Sequence, residues 1–168
     1  FTDPDKVKPK TREKILQIAR EVKYVPNVFA QNIKTAQSPI IGIVTDDTFN
    51  QSYAYVIQEL CQHAEAKGYS VMIFTTGGSR ESEVKAVNTL VGYKAAGIVL
   101  SVINDTPDYD TSHLKMLYHS ATKLIQFDRQ FDTTLPAVYV NDERAGELIA
   151  SVIKQKQYRH VLVIGGQE

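Results

Sequence analysis

The chain has a single cysteine, no apolar run long enough to span a membrane, and no net charge. One thiol, Cys61, excludes a disulfide framework or a cysteine-based metal cluster, and its place on the apolar stripe of a predicted helix indicates a core residue. A membrane helix needs about 20 consecutive apolar residues. The first residues, Phe1 to Pro4, do not resemble a signal peptide. We therefore expect a cytoplasmic protein without a membrane partner.

Motifs for nucleotide binding, metal binding and catalysis are also missing. No predicted strand is followed by Gly-x-Gly-x-x-Gly, and the pairs Gly77-Gly78 and Gly165-Gly166 are too short for a phosphate loop. The four histidines are scattered, and none has the i,i+4 partner of a metal site on a helix. Ser52 and Ser101 lack the flanking glycines of a nucleophile elbow. We expect no cofactor, no metal and no enzymatic activity.

The absence of net charge conceals an uneven distribution. Residues 1–40 hold eight Lys or Arg against four Asp or Glu, whereas the remaining residues hold eleven against fifteen. The basic end is the candidate for contact with phosphate groups. Because the sequence lacks an initiator Met and stops abruptly after a Gly-Gly pair, we expect it to be cut from a longer polypeptide.

The basic end contains two predicted helices. Residues 11–23 have apolar side chains at the spacing that lines one helical face, and Pro26 ends this helix. Residues 28–34 can form a second piece, capped by Asn27. This piece is shorter than the roughly 12 to 15 residues needed for marginal helicity in water. We therefore expect it to form only with a partner, and residues 35–39 have linker composition.

From residue 40 onward, predicted strands alternate with predicted helices. Apolar strands are expected at residues 40–44, 71–74, 97–100, 124–127, 137–140 and 161–164. The last predicted helix directs five apolar residues inward: Ala145, Leu148, Ile149, Val152 and Ile153. The alternation predicts an α/β fold with a doubly wound, mostly parallel sheet, in which ligands bind beyond the carboxyl ends of the strands.

Polar side chains follow the predicted strands at that edge. They are Asp46, Asp47, Asn50, Ser52, Tyr53, Asp128, Arg129 and Asp142. Hydrogen-bond donors, acceptors and one aromatic ring together suit a polyhydroxylated ligand. Several of these residues can instead cap helices. Either Asn141 or Asp142 caps the last predicted helix, and for Asp142 a cap is favoured over ligand contact. Asp46 and Asp47 are adjacent in a predicted loop, which favours two solvated charges over an acid/base pair.

Eight segments carry a pattern that extends, in order, over nearly the whole chain. They are residues 7–27, 28–34, 38–44, 63–69, 96–100, Phe127-Asp-Arg, Val140-Asn-Asp with Gly146, and residues 159–166. Together they resemble the LacI/GalR family of bacterial transcription regulators, except that Lys23 replaces the usual Gly. The resemblance implies a periplasmic-binding-protein-like fold. It divides the chain into the end of a helix-turn-helix headpiece (1–26), a hinge helix and linker (27–39), and the N-terminal subdomain of an effector-binding domain (40–168).

The family resemblance also implies a function. The complete protein is expected to be a repressor, a homodimer or tetramer, whose affinity for operator DNA is controlled by a small effector, most simply a sugar. Paired hinge helices are expected to enter the minor groove, where Ile33 wedges between base pairs and Asn27, Ala30 and Lys34 lie against the groove or backbone. Ile33 can also contact Phe29 across the dimer.

The resemblance assigns effector binding to six residues. The family's first loop, Asp-x-x-Asn-Pro-Phe-Phe, corresponds to Asp47-Thr-Phe-Asn50-Gln-Ser52-Tyr53, and the family's Asp-Arg corresponds to Asp128 and Arg129. A sugar-binding protein of a transport system shares this fold and is the alternative function. It is disfavoured because such a protein would not carry a basic helix and a Pro-Asn hinge ahead of its first strand.

Overall fold

A computed structural model describes residues 6–25, 37–46, 48–104 and 106–164. Its helices are α1 (Pro9–Glu21), α2 (Gln51–Ala66), α3 (Arg80–Gly92) and α4 (Asp142–Gln155), with a 3-10 helix at Ser112–His119. Its strands are β1 (Ser38–Thr45), β2 (Ser70–Thr75), β3 (Ala95–Leu100), β4 (Lys123–Phe127) and β5 (Ala137–Val138). The predicted hinge residues Asn27, Ala30, Ile33 and Lys34 lie outside the described residues.

The five strands form one parallel sheet in the order β2-β1-β3-β4-β5. In the centre of this sheet, Ile43 of β1 pairs with Ile73 of β2 on one side and with Val99 of β3 on the other. The order reverses between β1 and β3, and the carboxyl ends of strands at such a reversal form the usual ligand crevice. The predicted fold class is confirmed.

The hydrophobic core covers both faces of the sheet. On one face, α3 and the 3-10 helix pack against the strands through Val87, Leu90, Ile98, Leu100 and Leu114. On the other face, Ile57 of α2 lies against Ile43 and Val99. Strands that are covered on both sides read as continuous apolar runs rather than as an alternating pattern. This is why β1 and β3 could be predicted from the sequence.

The last part of the described chain differs from the prediction. Residues 161–164 form no strand, and β5 ends at Val138 rather than at residue 140. Helix α4 has no buried residue, and Leu148, Ile149 and Val152 are each at least half exposed. The predictions of a strand and of an inward helical face were wrong for these residues. An apolar face becomes buried only against a partner, and no other described element covers this one.

Helix α1 ends in a Schellman motif. The Tyr24 N–H donates to the Ala19 carbonyl at 2.8 Å, and the Lys23 N–H donates to the Arg20 carbonyl at 3.1 Å. Lys23 has a φ of 50°, in the left-handed region that glycine usually occupies at this position. Gly stands there in the family pattern, so the lysine departs from the pattern at a position with a demanding backbone.

Replacing Lys23 with Gly is therefore expected to stabilise α1 by about 1 kcal/mol, because glycine adopts the left-handed conformation without steric cost. Amide hydrogen exchange of α1 in the full-length protein should slow accordingly. The matched control is Lys14→Gly in the middle of the same helix, which should speed exchange, since glycine costs about 1 kcal/mol there. Faster exchange in Lys23→Gly would contradict the assignment.

None of the described helices combines the length and the apolar character needed to cross a membrane.

Candidate ligand-binding site

Tyr53 lies in the first turn of α2, just after the loop that follows β1. Asn50 caps this helix, since its Oδ1 accepts from the Ser52 N–H at 2.9 Å, as expected for an asparagine N-cap. The cap fixes where α2 leaves the sheet and so places Tyr53 at the carboxyl edge. The Tyr53 ring is half-buried against Phe127 of β4, with 5.3 Å between ring centroids and a tilt of 59°.

The Tyr53 hydroxyl connects the ends of two neighbouring strands. It donates to Asp128 Oδ2, directly after β4, and lies 3.2 Å from the Oγ of Ser101, directly after β3. We refer to these three residues as the Tyr53 cluster. Burial and the hydrogen bond to Asp128 raise the pKa of Tyr53 above its usual value, so the hydroxyl remains a donor at neutral pH. The cluster therefore combines an exposed carboxylate, two hydroxyls and an aromatic ring.

The backbone at Asp128 is in an uncommon conformation. Its φ is 67°, and the Arg129 N–H donates to the Phe127 carbonyl at 2.8 Å across it. An i to i+2 hydrogen bond around a residue with positive φ is a rare and strained γ-turn. Strained residues persist where the surroundings hold them in place, and they occur often at functional sites. Here the Asp128 N–H is held by the Val138 carbonyl at 2.8 Å.

Arg129 connects the loops around the cluster. Its Nη1 donates to Asp46 Oδ2 at 2.8 Å and to the carbonyls of Val102 and Ile103 at 3.2 and 2.9 Å. The Thr76 hydroxyl donates to the other Asp46 oxygen at 3.2 Å. Asp46 is thus a paired carboxylate, and the prediction of a solvated charge was wrong for this residue. Its partner lies 83 positions away in the sequence, and adjacency to Asp47 carried no information about it.

The structure brings together two of the six predicted effector residues, Tyr53 and Asp128. Arg129 is next to them but is directed towards Asp46 and the two carbonyls. Asn50 serves as the helix cap, Ser52 is exposed, and Asp47 lies outside the described residues. Effector contact by these six residues stays a prediction.

One of the two predicted candidates, Asn141, caps α4. The Asn141 side chain accepts from the Arg144 N–H at 2.8 Å, and Asp142 is the first residue of the helix itself. A carboxylate in the first turn still interacts favourably with the helix dipole. Of the two candidates for the cap, Asn141 is confirmed, and the cap role favoured for Asp142 was wrong.

Ser101 is the member of the Tyr53 cluster that was not predicted. It begins one of the loops at the carboxyl edge, but as a side chain it was weighed as a nucleophile and not named among the candidate binding residues, although it directly follows a buried strand. That position alone was the available signal. Among the described residues, no group of three or more His, Cys, Asp or Glu side chains is arranged to hold a metal ion.

Comparisons with known proteins agree with this architecture. A family model described as periplasmic binding proteins and sugar binding domain of LacI family matches residues 38–168. The ribose operon repressor of Lactococcus lactis is 26% identical over 162 residues, which cover 95% of this chain and 46% of the repressor. The chain thus spans about half the length of the curated relatives it matches.

Solved structures share the fold. A LacI-family transcriptional regulator from Silicibacter pomeroyi matches with a TM-score of 0.72 and 19% identity, over 91% of this chain and 45% of that one. The Caulobacter myo-inositol binding protein, solved with myo-inositol bound, matches with a TM-score of 0.62 and 14% identity, over 79% of this chain and 43% of that one.

Proposed function

We propose, since the chain belongs to the family of periplasmic binding proteins and sugar-binding domains of LacI type, that it is part of a sugar-responsive transcriptional repressor. The observation that carries the sugar-binding part is the Tyr53 cluster at the carboxyl edge of the sheet. The similarity to a ribose operon repressor supports the regulatory part. The protein acts by binding, without catalysis, in the cytoplasm.

The Tyr53 cluster suits a neutral polyhydroxylated ligand. The exposed Asp128 carboxylate accepts hydrogen bonds from sugar hydroxyls, and bonds to a charged acceptor are about twice as strong as neutral ones. The rings of Tyr53 and Phe127 present apolar surface to the C–H face of a sugar. Arg129 holds the loops after β1 and β3 in place through its hydrogen bonds to Asp46 and to the carbonyls of Val102 and Ile103. The chain spans about half the length of its curated relatives, and we propose that the opposite wall of the binding site corresponds to their other half.

The DNA-binding part of the proposal concerns the hinge. Asn27, Ala30, Ile33 and Lys34 contact the minor groove when two hinge helices of a dimer fold on the operator. Sugar binding favours a dimer geometry that separates the hinges, whereas operator favours the geometry that pairs them. By linkage, each ligand then weakens the binding of the other by the same factor.

Ile33→Ala in the full-length protein is expected to weaken operator binding at least tenfold, because an apolar wedge helps to pay the cost of unstacking a base step. Fluorescence anisotropy with a labelled operator at fixed salt measures this, and calorimetry should find sugar affinity unchanged. Ile33→Leu, which keeps an apolar wedge of the same size, is the matched control. Equal operator affinity in all three proteins would contradict the wedge.

The sugar-binding part is tested by a thermal-shift screen of the full-length protein. A ligand that binds only the native state raises the unfolding midpoint. We expect at least one sugar among D-ribose, sucrose, D-fructose, D-galactose and myo-inositol to raise it in a concentration-dependent manner. Tyr53→Ala, which removes both the ring and the hydroxyl, should abolish the shift. A shift that persists in this variant would place the sugar elsewhere.

A sugar-binding protein of a transport system is the second candidate. The likeness to the myo-inositol binding protein supports it. It is disfavoured by the surplus of basic over acidic residues within residues 1–40 and by the presence of α1 ahead of β1. A full-length protein that binds a sugar but shows no salt-dependent affinity for duplex DNA would favour the transport function.

A further inference from the structure

Glu83 is a fully buried carboxylate in the first turn of α3, and the site described above does not include it. We propose that Glu83 is a positioning residue for the Tyr53 cluster: it holds residues 101–103 in place and acts through them and Arg129. The proposal rests on the proposed function, because it assigns a role within the same sugar site.

Three donors converge on the Glu83 carboxylate. Oε1 accepts from the Tyr109 hydroxyl at 2.9 Å and from His113 Nε2 at 2.7 Å, and Oε2 accepts from the Ile103 N–H at 2.9 Å. A buried carboxylate is tolerated only where such donors replace water. Burial raises the pKa of the Tyr109 hydroxyl, and its hydrogen bond to Glu83 raises that pKa further. Glu83 thus binds three residues of the chain that follows β3: Ile103, Tyr109 and His113.

The arrangement has a cost that a purely apolar core would avoid. The His113 side chain is only 6% exposed, and its Nδ1 has no hydrogen-bond partner among the described residues. Its ring meets the edge of Tyr109 at a centroid distance of 6.4 Å. Replacing buried charged groups by apolar ones of similar volume is often neutral or stabilising. Stability alone therefore gives no reason for a carboxylate here.

Residues 101–103 connect Glu83 to the Tyr53 cluster. Ile103 donates its N–H to Glu83, while its carbonyl accepts from Arg129 at 2.9 Å. The Val102 carbonyl also accepts from Arg129. Ser101, two residues before Ile103, contacts the Tyr53 hydroxyl. The segment is therefore held by a buried carboxylate on one side and by a guanidinium on the other, and Arg129 directly follows Asp128.

An ion pair between Arg80 and Asp110 joins the start of α3 to the residues before the 3-10 helix, but it is less suited to hold a segment in place. Arg80 Nη2 and Asp110 Oδ2 are 2.6 Å apart, and their side chains are 40% and 62% exposed. Exposed pairs contribute about 0 to 1 kcal/mol and are screened by salt. Glu83 is shielded from solvent, so salt screens its interaction with residue 103 much less.

Fluorine NMR of the full-length protein labelled with 3-fluorotyrosine tests the proposal. The Tyr53 resonance is assigned by its loss in Tyr53→Phe. Glu83→Leu, which keeps volume but removes the acceptors, is expected to shift and broaden this resonance. In Glu83→Gln, which retains an acceptor for the Ile103 N–H, the Tyr53 resonance should lie close to its position in the unsubstituted protein. The control is Leu90→Ala, a core truncation on the same helix that loosens packing but removes no hydrogen bond to residues 101–103.

Calorimetry with D-ribose, sucrose and myo-inositol provides the second readout. Glu83→Leu should weaken sugar binding about tenfold, which corresponds to about 1.4 kcal/mol. Glu83→Gln should remain within about threefold of the unsubstituted protein, a difference of under 1 kcal/mol. An unchanged Tyr53 resonance in Glu83→Leu, or the same change in Leu90→Ala, overturns the proposal.

Tyr109→Phe keeps the experiment decisive if Glu83→Leu does not fold. It removes one of the three donors at nearly constant volume and should shift the Tyr53 resonance in the same direction by a smaller amount. No shift would overturn the proposal. If the unsubstituted protein binds none of the three sugars, binding of these sugars, as part of the proposed function, is contradicted. The Tyr53 resonance still decides the role of Glu83.

Discussion

Asp128→Asn, which keeps a neutral acceptor in place of the charged one, is expected to weaken sugar binding about three- to tenfold for each hydrogen bond that the carboxylate accepts, while the unfolding midpoint changes little. A hydrogen bond to a charged acceptor contributes about 1.5 to 3 kcal/mol, roughly twice a neutral one, and 1.4 kcal/mol corresponds to a factor of ten. Asparagine tolerates positive φ, so the strained turn at residue 128 is preserved. Calorimetry with the sugar identified in the thermal-shift screen measures the loss.

Asp132→Asn is the matched control for this substitution. Asp132 lies in the same connection between β4 and β5, but its carboxylate accepts from Thr134 and Tyr118 rather than from Tyr53. Sugar affinity should be unchanged in this variant. If both variants lose affinity equally, or if Asp128→Asn retains full affinity, the carboxylate at residue 128 does not bind the sugar.

Gly42→Ala is expected to destabilise the protein by about 2 to 3 kcal/mol, within the range measured for overpacked cores. A Cβ at residue 42 would lie 2.1 Å from Leu90 Cδ1 and 2.8 Å from Leu90 Cγ. Leu90 is fully buried and belongs to the main core, so its side chain has little room to turn away. Denaturant unfolding of the full-length protein measures the free energy of unfolding.

A double-mutant cycle identifies the cause. Leu90→Ala alone should cost about 2 to 5 kcal/mol, since it leaves a cavity. Adding Gly42→Ala to that variant should cost almost nothing further, because the new methyl group enters the vacated space. Strictly additive effects would mean that the two residues do not compete for volume.

The strands that carry the site were predictable because each is marked by an apolar run of consecutive residues. Residues 40–44 and 97–100 are continuous apolar runs, and only a sheet covered on both faces accommodates several such runs in alternation with amphipathic helices. The alternation led to the correct fold class, and the family resemblance is confirmed by the match of the family model to residues 38–168. The carboxyl-edge rule then selected the loops that hold Tyr53 and Asp128.

The pairing of side chains between those loops was not predictable. Asp46 was expected to be solvated, yet it binds Arg129, and Ser101 and Glu83 were not assigned to the site. Each of these contacts joins residues at least 20 positions apart. Local sequence patterns do not indicate which residues meet over such separations. The prediction for the segment after residue 140 was wrong although a clear local pattern is present. Its apolar periodicity is real, but periodicity does not specify what will cover it.

The distance between Tyr53 and Asp128 along the chain also bears on synthesis. These partners are separated by 75 residues, and ribosomes add about 5 to 20 residues per second. Roughly 4 to 15 s therefore pass between the emergence of the phenol and that of its carboxylate. During this interval a nascent polypeptide has no completed pocket wall, so metabolite levels in the cell can influence only molecules whose translation has advanced past β4.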